Sequence, residues 1–109
     1  MSNFILYDYA ALLSANPNKW WQDYIINSTN ILFKFLYKEN LISVFPFDES
    51  GNVIENFILN SCDVDSACIE LFRKSVPNWR KAHDRGTPIE KITILEKGLA
   101  KIRNASSLK

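Results

Sequence analysis

The sequence predicts a mainly α fold: a small single-domain helical bundle of about four to five helices, with a long irregular or short hairpin segment at about 41–60. Three observations carry this expectation. Four stretches repeat their apolar residues at helical steps of three and four, Pro and Gly fall at the joints between them, and one stretch alone, Leu41 to Phe45, reads as strand. The 109 residues are enough for one core and too few for large α/β architectures.

The first segment is expected at about Asn3 to Ser14, where Ile5, Tyr9, Leu12 and Leu13 follow helical spacing. Asn16-Pro17 should stop it and open the next helix, with Asn as cap and Pro at the first position, where no N–H is needed. That second helix, about Pro17 to Glu39, carries one stripe of Trp21, Tyr24, Ile25, Ser28, Leu32, Phe35 and Leu36. A second stripe, Ile26, Phe33 and Tyr37, faces elsewhere. A helix apolar on more than one face is packed between neighbours. Any of its aromatics left outside, Trp20 or Tyr37 above all, would be a partner anchor.

In the middle segment Pro46 interrupts the strand-like run, and Asp48-Glu49-Ser50-Gly51-Asn52 is a turn before Val53 to Leu59 becomes apolar again. A third helix is expected from about Val64 to His83, capped by Asp63 or Asp65, burying Cys68 or Ile69, Phe72, Val76, Trp79 and His83. Pro77 must kink or divide it, and Arg85-Gly86 ends it. Thr87-Pro88-Ile89-Glu90 reads as a capping box opening a fourth helix, whose buried stripe is Ile92, Leu95, Leu99 and Ile102; residues 104–109 read as a frayed tail.

Charge is unevenly distributed along the chain. Residues 1–70 hold nine acids against three bases, a net −6, and residues 71–109 hold ten bases against three acids, a net +7. Such a split suggests a charged interaction face. Of the acids, Asp63 and Asp65 have capping duties in prospect. Asp48, Glu49 and Glu55, with Asp23 and Glu39 on the long helix, are the candidates for contact with a basic partner.

Several chemistries find no pattern. Three Gly residues form no phosphate-cradling loop, and one His with two Cys cannot complete a four-ligand zinc site without carboxylates. Asp63-Val64-Asp65 lacks the glycine and terminal Glu of a calcium loop. His83-Asp84-Arg85 places neighbours about 100° apart on a helix, so they do not meet as a catalytic set. No catalytic, cofactor-binding or metal-ligating residue is therefore expected. Cys62 and Cys68 are expected to be reduced, small core residues. The longest apolar run is five residues and the N-terminus has no basic export region, so a cytoplasmic protein without membrane contact is expected.

Trp20-Trp21, the run Ile31-Leu32 through Phe35-Leu36 to Leu41-Ile42, the acidic turn with Gly51-Asn52-Val53, Asn60-Ser61-Cys62-Asp63 and the tract Phe72 to Gly86 together resemble small bacterial immunity proteins. The pattern is most similar to those of contact-dependent growth inhibition and related polymorphic toxin systems, across about residues 18–103. The resemblance implies a cytoplasmic, non-enzymatic protein that binds one cognate toxin domain, often a nuclease with a basic cleft. Binding residues in such families differ from toxin to toxin, so none is carried over. The alternative is a small helical nucleic-acid-binding regulator that uses Arg73, Lys74, Arg80, Lys81 and Arg85 with Trp79 among them. The whole-chain isoelectric point of about 7.7 weighs against it.

Overall fold

The computed structural model describes residues 3–107, and it is mainly α with one two-stranded antiparallel sheet among those residues. In chain order the elements are β1 (Ile5–Asp8), α1 (Tyr9–Ser14), α2 (Lys19–Lys38), β2 (Ile58–Asn60), a 3-10 turn (Ser61–Asp63), α3 (Ser66–Glu70), a π turn (Leu71–Ser75), α4 (Val76–Asp84) and α5 (Thr93–Ser107). They fall into two compact units, Met1–Val64 and Asp65–Lys109.

In the first unit, the opening segment is not one helix. Ile5–Asp8 pairs antiparallel with Ile58–Asn60 in the register Ile5 to Asn60, Tyr7 to Leu59 and Asp8 to Ile58, with an irregularity between Ile5 and Tyr7. The strand wins because it buries Tyr7, whose ring packs 5.2 Å from Phe33 and whose hydroxyl lies 2.5 Å from Thr29 Oγ1 in the middle of α2. Asp8 then caps α1 by accepting from the Ala11 N–H at 3.1 Å.

α2 starts two residues later than expected. Pro17 stays outside the helix: Asn16 Oδ1 accepts from the Asn18 N–H at 3.0 Å, and Asn18 takes the cap position with an extended backbone. Two side chains of the first turn of α2 then serve the open end of α1. Trp21 Nε1 donates to Leu12 O at 2.7 Å, and Gln22 Nε2 donates to Leu13 O and Asn16 O. At its other end α2 closes with Asn40 in the left-handed region, φ 59°, the Asn40 N–H on Tyr37 O and the Leu41 N–H on Leu36 O. Ile25, Ser28, Leu32, Phe33, Phe35 and Leu36 are buried, whereas Ile26, Tyr37 and Trp20 are exposed.

Residues 41–57 form no regular hairpin. Ile42 makes a single bridge to Val64 and Phe47 a single bridge to Val53, the latter closing the Asp48–Asn52 turn. Asn60 and Asp63 cap the 3-10 turn reciprocally. Cys62 is exposed there rather than in the core, because that turn lies on the surface.

In the second unit, Asp65 caps α3 by accepting from the Ala67 N–H at 3.0 Å. α3, the π turn and α4 follow one another without a break, which settles the effect of Pro77. A proline ring collides with the carbonyl four residues back and brings no N–H; here the preceding turn widens, and the Val76 N–H reaches Leu71 O five residues back. Cys68, Leu71, Ser75, Val76 and Trp79 are buried, while Phe72 and His83 are only half-buried. Gly86, φ 107°, ends α4, with its N–H on His83 O and the Thr87 N–H on Ala82 O.

The expected capping box at Thr87 does not open a helix. Residues 87–92 form a turn, with the Lys91 N–H on Pro88 O, and α5 begins at Thr93. Trp79 accounts for this: its Nε1 donates to Ile89 O at 3.2 Å, occupying the carbonyl that a helix from Thr87 would offer to Thr93. Leu95 and Leu99 are buried as expected. At Gly98 a side chain would fall on Ser75, its Cβ 2.9 Å from the Ser75 Cβ, so glycine sets how closely α5 meets the π turn. α5 continues through Asn104 to Ser107; Leu108 and Lys109, the end of the expected tail, lie outside the described residues.

Candidate functional site

Asn30 sits mid-way along α2, on the face that also carries Ile26 and Tyr37, where an amide interrupts an otherwise apolar stripe. Its Oδ1 accepts from the Val53 N–H at 2.7 Å and its Nδ2 donates to Asn52 Oδ1 at 3.3 Å. One side chain thereby fixes the far end of the 48–52 turn to the helix. The turn is also held from within. Asp48 Oδ1 accepts from the Ser50 and Asn52 N–H groups at 2.9 and 3.1 Å, the Asp48 N–H donates to Asn52 O at 2.8 Å, and Gly51 takes φ 83°.

Between this turn and α2 lies a hollow of about 660 Å³. Tyr9, Asn30, Asp48, Asn52, Glu55 and Asn56 give it its polar lining, and Ile26 and Ile54, each more than a third exposed, flank it. Tyr9 is 2% exposed, and its hydroxyl has no hydrogen-bond partner among the described residues. Burial raises its pKa to about 12, with Tyr7 and the Glu55 carboxylate adding to the effect. Beyond the turn, Tyr37, Phe45 and Phe47 meet edge to face with centroids 5.4 to 5.8 Å apart, Phe45 being 63% exposed.

The five acids singled out from the sequence are dispersed unequally. Asp48 and Glu55 line the hollow, and Glu49 is exposed on the same turn. Asp48 is not merely a surface charge, since the turn is built on it. Asp23 is exposed on α2, one turn before Ile26, and pairs with Lys19 at 2.9 Å. Glu39 stands apart, half-buried at the C-terminal end of α2. Sequence reasoning missed Tyr9, Asn30 and Asn56. Asn30 alone left a signal, as the amide within the Ile26–Phe33–Tyr37 stripe.

No protein family, curated protein or solved structure matches this chain. His83 Nδ1 lies 2.9 Å from Thr87 O, so that nitrogen carries a proton directed at the backbone. Arg73 and Lys74 both reach Glu70, at 3.1 and 3.7 Å, and Trp79 is buried with its indole N–H engaged, which withdraws the aromatic from any base-stacking surface on α4. Among the described residues no group of three or more His, Cys, Asp or Glu is placed to hold a metal ion, and no helix is long and apolar enough to cross a membrane.

Proposed function

We propose that this protein is a cytoplasmic, non-enzymatic immunity protein that binds a cognate toxin domain, a nuclease and by preference a ribonuclease, and occludes its active-site cleft. The observation that carries the reading is the Asp48–Asn52 turn. Its backbone is held by Asp48 and Asn30, so Glu49 and Glu55 are presented from a fixed support beside the exposed rings of Tyr37 and Phe45. Acids on a preorganised turn steer association with a basic cleft, and neighbouring aromatics supply the desolvated contact that gives affinity. The resemblance to small immunity proteins supports the same reading.

The test pairs Glu49→Lys with Glu55→Lys and leaves Asp48 in place, because Asp48 holds the turn. Against the cognate toxin domain, to be sought as the C-terminal domain of a large secreted protein encoded by a neighbouring gene, the double variant should associate more slowly by about tenfold or more at low salt and protect toxin-expressing cells poorly. Its circular dichroism should match that of the wild type. Full protection by the variant, or no complex with wild type, contradicts the proposal.

A further inference from the structure

We infer that the hollow between α2 and the 48–52 turn is a receptor for a guanidinium group, the arginine side chain of a protein partner. The inference deepens the reading above and rests on it for the nature of that partner. Three features converge. Tyr9, a buried residue, lines the hollow, and its hydroxyl has no hydrogen-bond partner among the described residues. The Glu55 carboxylate lines the same space, and Asp48, whose Oδ1 is engaged in the turn, keeps its Oδ2 for an incoming donor. Ile26 and Ile54 offer apolar surface at the edge.

These groups are mostly acceptors, so the occupant must be rich in donors and positively charged. An arginine carries five N–H donors in a planar fork that can meet two carboxylates and a phenol oxygen together, whereas an ammonium is a compact point charge. Its methylene stem would lie along Ile26 and Ile54. The Asn30 amide is occupied in holding the turn, which keeps the two walls of the hollow at a fixed separation before any ligand arrives.

The probe is Nα-acetyl-arginine amide, titrated into the full chain while the backbone amide resonances of Asn52 and Val53, which line the hollow in every variant, are followed by NMR. Acetyl-citrulline amide, the neutral near-isostere, acetyl-lysine amide and free arginine are the comparators. The arginine amide should saturate and bind about tenfold tighter than the citrulline amide. Glu55→Gln and Tyr9→Phe should each weaken it severalfold. Tyr9→Phe removes an unpartnered hydroxyl and so preserves the fold; an unchanged spectrum elsewhere verifies this. Absence of saturation, equal binding of citrulline, tighter binding of lysine, or indifference to both variants overturns the inference. Tighter binding of free arginine than of the blocked amide also overturns it, because it points to a small-molecule site. Saturable binding of the arginine amide, with no toxin complex formed by the wild type, would leave the guanidinium site standing and remove the immunity reading. A toxin complex sensitive to reversal of Glu49 and Glu55 but indifferent to Tyr9→Phe would do the opposite.

Discussion

In Met1–Val64 the irregular backbone is tied down by polar side chains reaching across long stretches of sequence, whereas in Asp65–Lys109 helices are pressed together around Trp79 and Gly98. Tyr7 to Thr29, Asn30 to Val53 and Trp21 to Leu12 are ties of the first kind. The close approach of Gly98 to Ser75 is of the second. The difference shows where each unit is vulnerable. Loss of volume should injure the second most, and loss of single hydrogen bonds the first.

The largest expected effect is Trp79→Ala. It empties the best-filled part of the second unit and releases Ile89 O, and chemical denaturation should report a loss of about 3 to 5 kcal/mol. A loss below about 1 kcal/mol would mean that the indole is not the organising group.

Next is alkaline pH, which touches both units. Burial raises the Tyr9 hydroxyl to about 12 in the first and, with Asp65 adding, the Cys68 thiol to about 12 in the second. Both groups fold in their neutral forms. Their contribution is complete below their unfolded pKa values, about 10 and 9, and is lost as pH rises from there through about 12. Tyr9→Phe should remove its share of the decline in a pH series of unfolding midpoints.

Asn30→Ala tests the cross-link itself. It leaves the Val53 N–H and the Asn52 side chain without their partner, and a cost of about 1 to 3 kcal/mol is expected. Hydrogen exchange at Val53 should accelerate while exchange within α4 and α5 stays unchanged. Uniform acceleration would show that the tie supports more than the turn.

The smallest effect separates local signal from fold. With α5 beginning at Thr93, Thr87→Ala should change stability by less than about 0.5 kcal/mol. A true cap would cost about 1 kcal/mol.

These cases show what was legible in the sequence. The periodicity of α2, the cap at Asp65, the stop at Gly86 and the acidic turn could be read directly, because each is decided within a few residues. The strand at Ile5–Asp8 could not, since so short a stretch fits either period and its partner lies some fifty residues onward. Thr87-Pro88-Ile89-Glu90 was locally persuasive, but a bond from Trp79, ten residues earlier, took the carbonyl. In the candidate site Glu55 could be picked out by charge alone. Tyr9 could not, because only the folding of residues 48–56 over α2 brings the two around one hollow.

The pairing of β1 with β2 has a consequence for synthesis. At about 5 to 20 residues per second, Ile58 leaves the ribosome several seconds after Asp8. During that interval β1 has no partner, and Tyr7 has only α2 to shelter it. The nascent chain therefore carries Phe4, Ile5 and Tyr7 as an unclosed edge until the middle of the protein has been made. The first unit cannot complete itself from its N-terminal end; its first strand is among the last pieces to be seated.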